Sequence, residues 1–211
     1  MSTFLAPSNR RSFLKRTGLA VAPMLIPSSV WMARGASGPN NRITFGYIGA
    51  GKQAHHLLNS FLPHTDVQVV AVCDVDTTRR EHYRKMVEDF YRTKQDRDFR
   101  GCDALADFRQ LNARKDIDAV VISTPDHWHA AQVIDAANAG KDIYCEKPLS
   151  LTIAEARAMV EAVRRNERVL QTGSMQRSDN SFYKGCTLVR NGLIGEVKQV
   201  YVSIGGPSKW C

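Results

Sequence analysis

A glycine turn set between two apolar runs constrains this chain more than any other feature. Ile43 to Ile48 is a short apolar run that ends in Gly49-Ala50-Gly51. Ala54, Leu57, Leu58, Phe61 and Leu62 then recur on one face at helical spacing until Pro63 stops them. Val67 to Cys73 is a second, continuous apolar run, closed by Asp74. Strand, turn, helix and strand in that order make one βαβ unit, whose strands must run parallel and whose helix must cover the sheet.

The same alternation continues downstream. Tyr83, Met86, Val87, Phe90 and Tyr91 mark an amphipathic helix, and Ala119 to Ser123 a buried strand. Asp126 is placed to cap a helix running to about Ala139, with Gly140 just past its end. Ile143 to Cys145 is another short strand. Thr152-Ile153-Ala154-Glu155 is a capping box opening a further helix, and Val169 to Thr172 is one more strand. Alternating strands and helices predict an α/β fold: a Rossmann-type, doubly wound parallel sheet covered on both faces. From Gln176 the pattern changes to a helix near Ser181 to Arg190 and a longer strand, Glu196 to Ile204. This divides the chain into residues 1–36, a dinucleotide-binding domain over 37–175, and the incomplete start of a C-terminal α/β domain over 176–211.

Composition excludes some functions and explains the charge. Of the formal charge of +8, five positive residues (Arg10, Arg11, Lys15, Arg16 and Arg34) fall in the first 36 residues, which hold no acid. No basic stripe is left over the rest to neutralise a run of phosphates, so no nucleic-acid partner is predicted. The five cysteines (Cys73, Cys102, Cys145, Cys186 and Cys211) are scattered without metal-ligand spacing, so no metal site is predicted; Cys73 and Cys145 read as small core residues. Asn9-Arg10-Arg11-Ser12-Phe13-Leu14-Lys15 precedes a modest apolar stretch, Leu19 to Ile26, broken by Pro23. That is the pattern of a twin-arginine signal, which predicts passage through the twin-arginine export machinery to the periplasm. Cleavage near Gly35 and retention as an anchor both stay open.

The glycine turn carries the first chemistry. Gly49-Ala50-Gly51-Lys52-Gln53-Ala54 fits the spacing G-x-G-x-x-[GA]: Gly49 for the tight turn, Gly51 for close approach of backbone to a pyrophosphate, Ala54 for close helix packing. Asp74 lies 23 residues beyond Gly51, where a carboxylate accepts both hydroxyls of an adenosine ribose and repels a 2′-phosphate, so NAD is favoured over NADP. Arg79 and Arg80 temper that preference, although both also read as solvated helix residues.

Two segments emerge at the carboxyl edge of the sheet, where folds of this kind bind ligands. Thr124-Pro125-Asp126-His127-Trp128-His129 follows one strand, and His129 is a candidate for touching cofactor or substrate. Glu146-Lys147-Pro148 follows the next. Lys147 beside a bound nicotinamide would serve in proton transfer at a substrate hydroxyl, or it is an ordinary surface lysine.

The Gly-x-Gly turn, the Thr-Pro-x-x-x-His segment, Glu146-Lys147-Pro148, and Thr172-Gly173-Ser174-Met175-Gln176-Arg177 behind it, in this order, resemble the Gfo/Idh/MocA family of oxidoreductases. The resemblance implies a Rossmann domain followed by an α/β domain that covers the active site and supports homo-oligomers. It implies NAD(P)-dependent hydride transfer at a hydroxyl carbon of a sugar, cyclitol or related polyol, a catalytic or cofactor-orienting Lys147, and Arg177 at the nicotinamide end of the cleft. Members also supply an acid/base histidine from a G-x-H-x-x-D segment, and no histidine follows His129 here. Two further readings stand beside the dehydrogenase: an NAD-dependent glycosidase of the same family, and a non-catalytic nucleotide-binding module from a truncated gene.

Overall fold

A computed structural model describes residues 42–95 and 101–203. The twin-arginine segment lies outside the described residues. The elements are β1 (Ile43–Ile48), α1 (Lys52–Phe61), β2 (Val67–Cys73), α2 (Thr77–Gln95), β3 (Asp103–Leu105), α3 (Phe108–Asn112), β4 (Ala119–Ile122), α4 (Asp126–Asn138), β5 (Asp142–Cys145), α5 (Ile153–Arg165), β6 (Leu170–Thr172), a 3-10 turn (Met175–Ser178) and α6 (Asn180–Arg190). The six strands form one sheet in the order β3-β2-β1-β4-β5-β6, every neighbouring pair parallel.

That order follows from the sequence pattern. The central runs β2 and β4 are buried on both faces and therefore need helices above and below them. In β4, Val120 and Ile122 pack with Ala130, Val133 and Ala137 of α4 and Met159 and Ala162 of α5, whereas Val121 faces Leu58 of α1 and Tyr83 and Val87 of α2. The connections run outward from β1 to β3 and then, from β4, outward in the opposite direction. The carboxyl ends of β1 and β4 are consequently where the two halves part and leave a crevice.

Several local expectations hold. Gly140 takes φ +76° just past α4, and Thr152 and Glu155 make the reciprocal capping box of α5. Others need correction. Asp126 is not the cap of α4 but its first residue, and its carboxylate accepts from the N–H of His127. The short elements β3 and α3 are additions to the predicted list. Residues 196–203 form no strand: nothing among the described residues lies alongside to accept its backbone hydrogen bonds, and a lone strand is not stable by itself. Among the described residues, no helix is long and apolar enough to cross a membrane.

Candidate functional site

The crevice is built where β1 turns into α1. Gly49 takes φ +96°, and a Cβ there would lie 2.8 Å from the Ser123 carbonyl carbon, so only glycine lets β1 and β4 end side by side. Ser123 closes this seam, donating its N–H to the Ile48 carbonyl and its hydroxyl to the Gly49 carbonyl. Gly51 then caps α1 in an extended conformation with no side-chain partner, which leaves the first-turn N–H groups of the helix pointing into the crevice. A Cβ on Gly51 would meet nothing within 4 Å. The space over that glycine is open for another molecule.

Two side chains fix the turn from behind. The hydroxyl of Tyr83 donates to the Gly51 carbonyl, and Asp74 Oδ2 accepts the N–H of Ala50 at 2.7 Å. Asp74 Oδ1 accepts the N–H of Asp76 at 2.9 Å. Tyr83 has its hydroxyl pushed up to about 12, chiefly by burial and then by the charge of Asp74.

The resulting cleft has a volume of about 780 Å³ and is lined by Gly49, Ala50, Gly51, Lys52, Gln53, Asp74, Thr124 and Pro125, all expected from sequence. Sequence reasoning passed over Asp107, Phe108 and Arg109, which complete one wall with Trp128. The Phe108 and Trp128 rings meet edge to face at 6.4 Å between centroids, and the Arg109 guanidinium sits 4.7 Å from the Phe108 centroid. Arg79 lines the cleft and pairs with Asp76 at 3.6 Å. Arg80 instead reaches the backbone, donating to the Asp74 carbonyl at 3.2 Å.

Glu146 joins the cleft through Gln53. It is buried, its Oε1 accepts from Gln53 Nε2 at 3.0 Å and its Oε2 from the N–H of Lys147 at 3.1 Å. Gly173 backs the carboxylate so closely that a Cβ would lie 2.8 Å from its carbon. The Tyr144 hydroxyl is raised above its usual value, first by burial and then by the charge of the Glu146 carboxylate. Lys147 follows, exposed, with a cis bond to Pro148. Lys147 and Arg177 do not line the cleft, and Arg177 stands exposed on the 3-10 turn.

His129 is the main correction. It was expected to face cofactor or substrate, but its ring is 1% exposed and both nitrogens are engaged by backbone: Nδ1 lies 2.7 Å from the Pro148 carbonyl and Nε2 2.8 Å from the Thr124 carbonyl. The signal was available in the sequence. His129, Val133, Ala136 and Ala137 share one helical stripe, the buried one. Trp128, the neighbour off that stripe, lines the cleft instead.

A parallel doubly wound sheet with a glycine-lined cleft at its switch point defines the class: a dinucleotide-binding Rossmann domain. Residues 43–174 match the model of the oxidoreductase family with an NAD-binding Rossmann fold, and the chain belongs to this Gfo/Idh/MocA family. It is 35% identical over 156 residues to the uncharacterized oxidoreductase YrbE of Bacillus subtilis, covering 73% of this chain and 42% of that protein. It is 28% identical over 207 residues to the alpha-N-acetylgalactosaminidase of Shewanella oneidensis, covering 90% of this chain and 44% of the other. The scyllo-inositol dehydrogenase of Lactobacillus casei, solved with NAD(H) and scyllo-inositol, superposes with a TM-score of 0.59 at 25% identity, covering 74% of this chain and 43% of that one. The chain spans less than half the length of each of these relatives.

The residues present fit NAD. Free N–H groups at α1 and open space over Gly51 suit a pyrophosphate, and the Asp74 carboxylate at the end of β2 suits a ribose diol.

Proposed function

We propose that this chain carries the cofactor half of an NAD-dependent oxidoreductase that moves hydride to or from a hydroxyl-bearing carbon of a polyol, cyclitol or sugar. The observation that carries the reading is the bond from Gln53 to Glu146, which couples the helix behind the glycine turn to the segment bearing Lys147. When bound, NAD supplies the hydride acceptor. The N-terminus of α1 would hold its pyrophosphate and Asp74 its adenosine ribose, and Lys147 orients the reacting hydroxyl and relays its proton. Arg177 borders the nicotinamide end of the same edge. The scyllo-inositol dehydrogenase relative, solved with its cofactor and a cyclitol, supports the substrate class.

The domain boundaries at residues 36 and 175, export by the twin-arginine route and assembly into homo-oligomers belong to the same proposal. The Arg10-Arg11 motif supports export. The alpha-N-acetylgalactosaminidase relative, matched across 90% of this chain, supports a second reading in which oxidation is transient and a glycosidic bond breaks. The two separate on products. Incubation with NAD and a panel of inositols and sugars, followed at the NADH absorbance, gives net NADH for a dehydrogenase. Released sugar without NADH supports the glycosidase, and NAD binding with neither product supports a non-catalytic module.

A further inference from the structure

Both chain neighbours of Lys147 are pinned. On one side Glu146 is held by Gln53 of α1 and accepts the N–H of Lys147 itself. On the other, the Pro148 carbonyl meets Nδ1 of His129, whose Nε2 meets the Thr124 carbonyl at the end of β4. Thr124 is in turn anchored to the same helix as His129, its hydroxyl donating to Gln132 Oε1 at 2.6 Å. The ring is buried, so water replaces neither carbonyl. Carbonyl oxygens only accept hydrogen bonds. A ring nitrogen therefore holds a carbonyl only where it carries the proton, and the ring stands between two of them.

We propose that His129 is a positioning residue for Lys147, its buried ring bridging the loop after β4 and the turn after β5 and so fixing where the lysine stands at the carboxyl edge of the sheet. The inference rests on the proposed function only in taking Lys147 to work beside the bound nicotinamide. It explains why a histidine sits on the buried stripe of α4 among alanines and valine: an apolar residue there would break the bridge between the Thr124 and Pro148 carbonyls.

Two variants separate the two contacts, because the amide nitrogen of asparagine falls where Nδ1 lies and that of glutamine where Nε2 lies. His129→Asn offers a donor to Pro148, and His129→Gln offers one to Thr124. The test is the rate at which the Lys147 amine is acetylated by an amine-selective reagent, read by mass spectrometry with and without NAD, alongside NAD affinity by titration. Wild type and His129→Asn are expected to show Lys147 protected by NAD. His129→Gln is expected to bind NAD as wild type does while its protection falls about fivefold, the equivalent of one lost hydrogen bond. Equal protection in a folded, NAD-binding His129→Gln protein overturns the proposal. If both variants fail to fold, ring 15N spectra of the wild type decide: a proton on Nδ1 supports the hold on Pro148, and a bare Nδ1 overturns it. A wild type that binds NAD without protecting Lys147 overturns the placement of the lysine beside the nicotinamide, and with it the role given to His129. A wild type that does not bind NAD overturns the proposed function itself.

Discussion

The carboxylate of Asp74 accepts the backbone N–H of Ala50 at 2.7 Å, so the acid that ends β2 is also a support of the glycine turn. One side chain thereby links the site for a ribose to the site for a pyrophosphate. Its second oxygen is engaged as well, by the N–H of Asp76. Asp74→Asn keeps the shape of the side chain but can accept on only one of those two arms. Affinity for NAD is expected to fall about 10- to 100-fold, as for loss of one hydrogen bond to a charged group, and the preference over NADP to shrink. Parallel titrations with both dinucleotides check this, and an unchanged NAD to NADP ratio would count against the assignment of Asp74.

The two glycines of the turn are expected to fail in different ways. Gly49→Ala forces a side chain into a left-handed conformation and against the Ser123 backbone at 2.8 Å, and should lower stability by at least about 2 kcal/mol. Gly51→Ala meets nothing within 4 Å in an extended conformation, and should cost less than about 1 kcal/mol. Its effect is expected on binding instead, a loss of more than about tenfold as the methyl group occupies the pyrophosphate's approach. Thermal unfolding with and without NAD distinguishes the two, and a Gly51→Ala protein that binds NAD normally would contradict the placement of the phosphates.

Much of this arrangement was legible in the sequence because the strands at the centre of the sheet are long enough to leave an apolar signature. β1, β2 and β4 read directly from Ile43–Ile48, Val67–Cys73 and Ala119–Ile122, and the glycine spacing located the cleft between them. β3 is the three residues Asp103–Leu105, opened by an acid, and α3 spans five, so neither shows an apolar run or a full helical repeat. Asp107 in the turn between them and Phe108 and Arg109 at the start of α3 line the cleft, so an entire wall went unread. His129 illustrates a different limit: its place in a motif suggested a ligand contact, while its place on a helical stripe put it in the core, and burial prevailed. The strand expected over residues 196–204 alternates well on paper, yet alternation does not make a strand without a neighbour to pair with.

Stability should fall in alkali through the buried thiols. Burial, aided by nearby carboxylates, pushes Cys73, Cys102 and Cys145 from the usual 9.0 up to about 12 in the folded chain. Between those values the unfolded chain has lost protons that the folded chain retains, so stability declines as pH rises through that window and is unaffected by these groups below it. Each thiol contributes a slope of up to about 1.4 kcal/mol per pH unit. Urea unfolding from pH 8 to 10.5 checks the sign. A flat profile would show that these thiols ionise in the folded protein as they do in the unfolded one.

Binding of NAD in the cleft between β1 and β4 is read out by ligand-dependent thermal unfolding of this chain. At NAD concentrations about 100-fold above Kd, binding to the native state alone should raise the midpoint by roughly 5–10 °C, with a smaller rise for NADP at equal concentration. A cooperative unfolding transition that neither dinucleotide moves would mean that the cleft does not hold NAD.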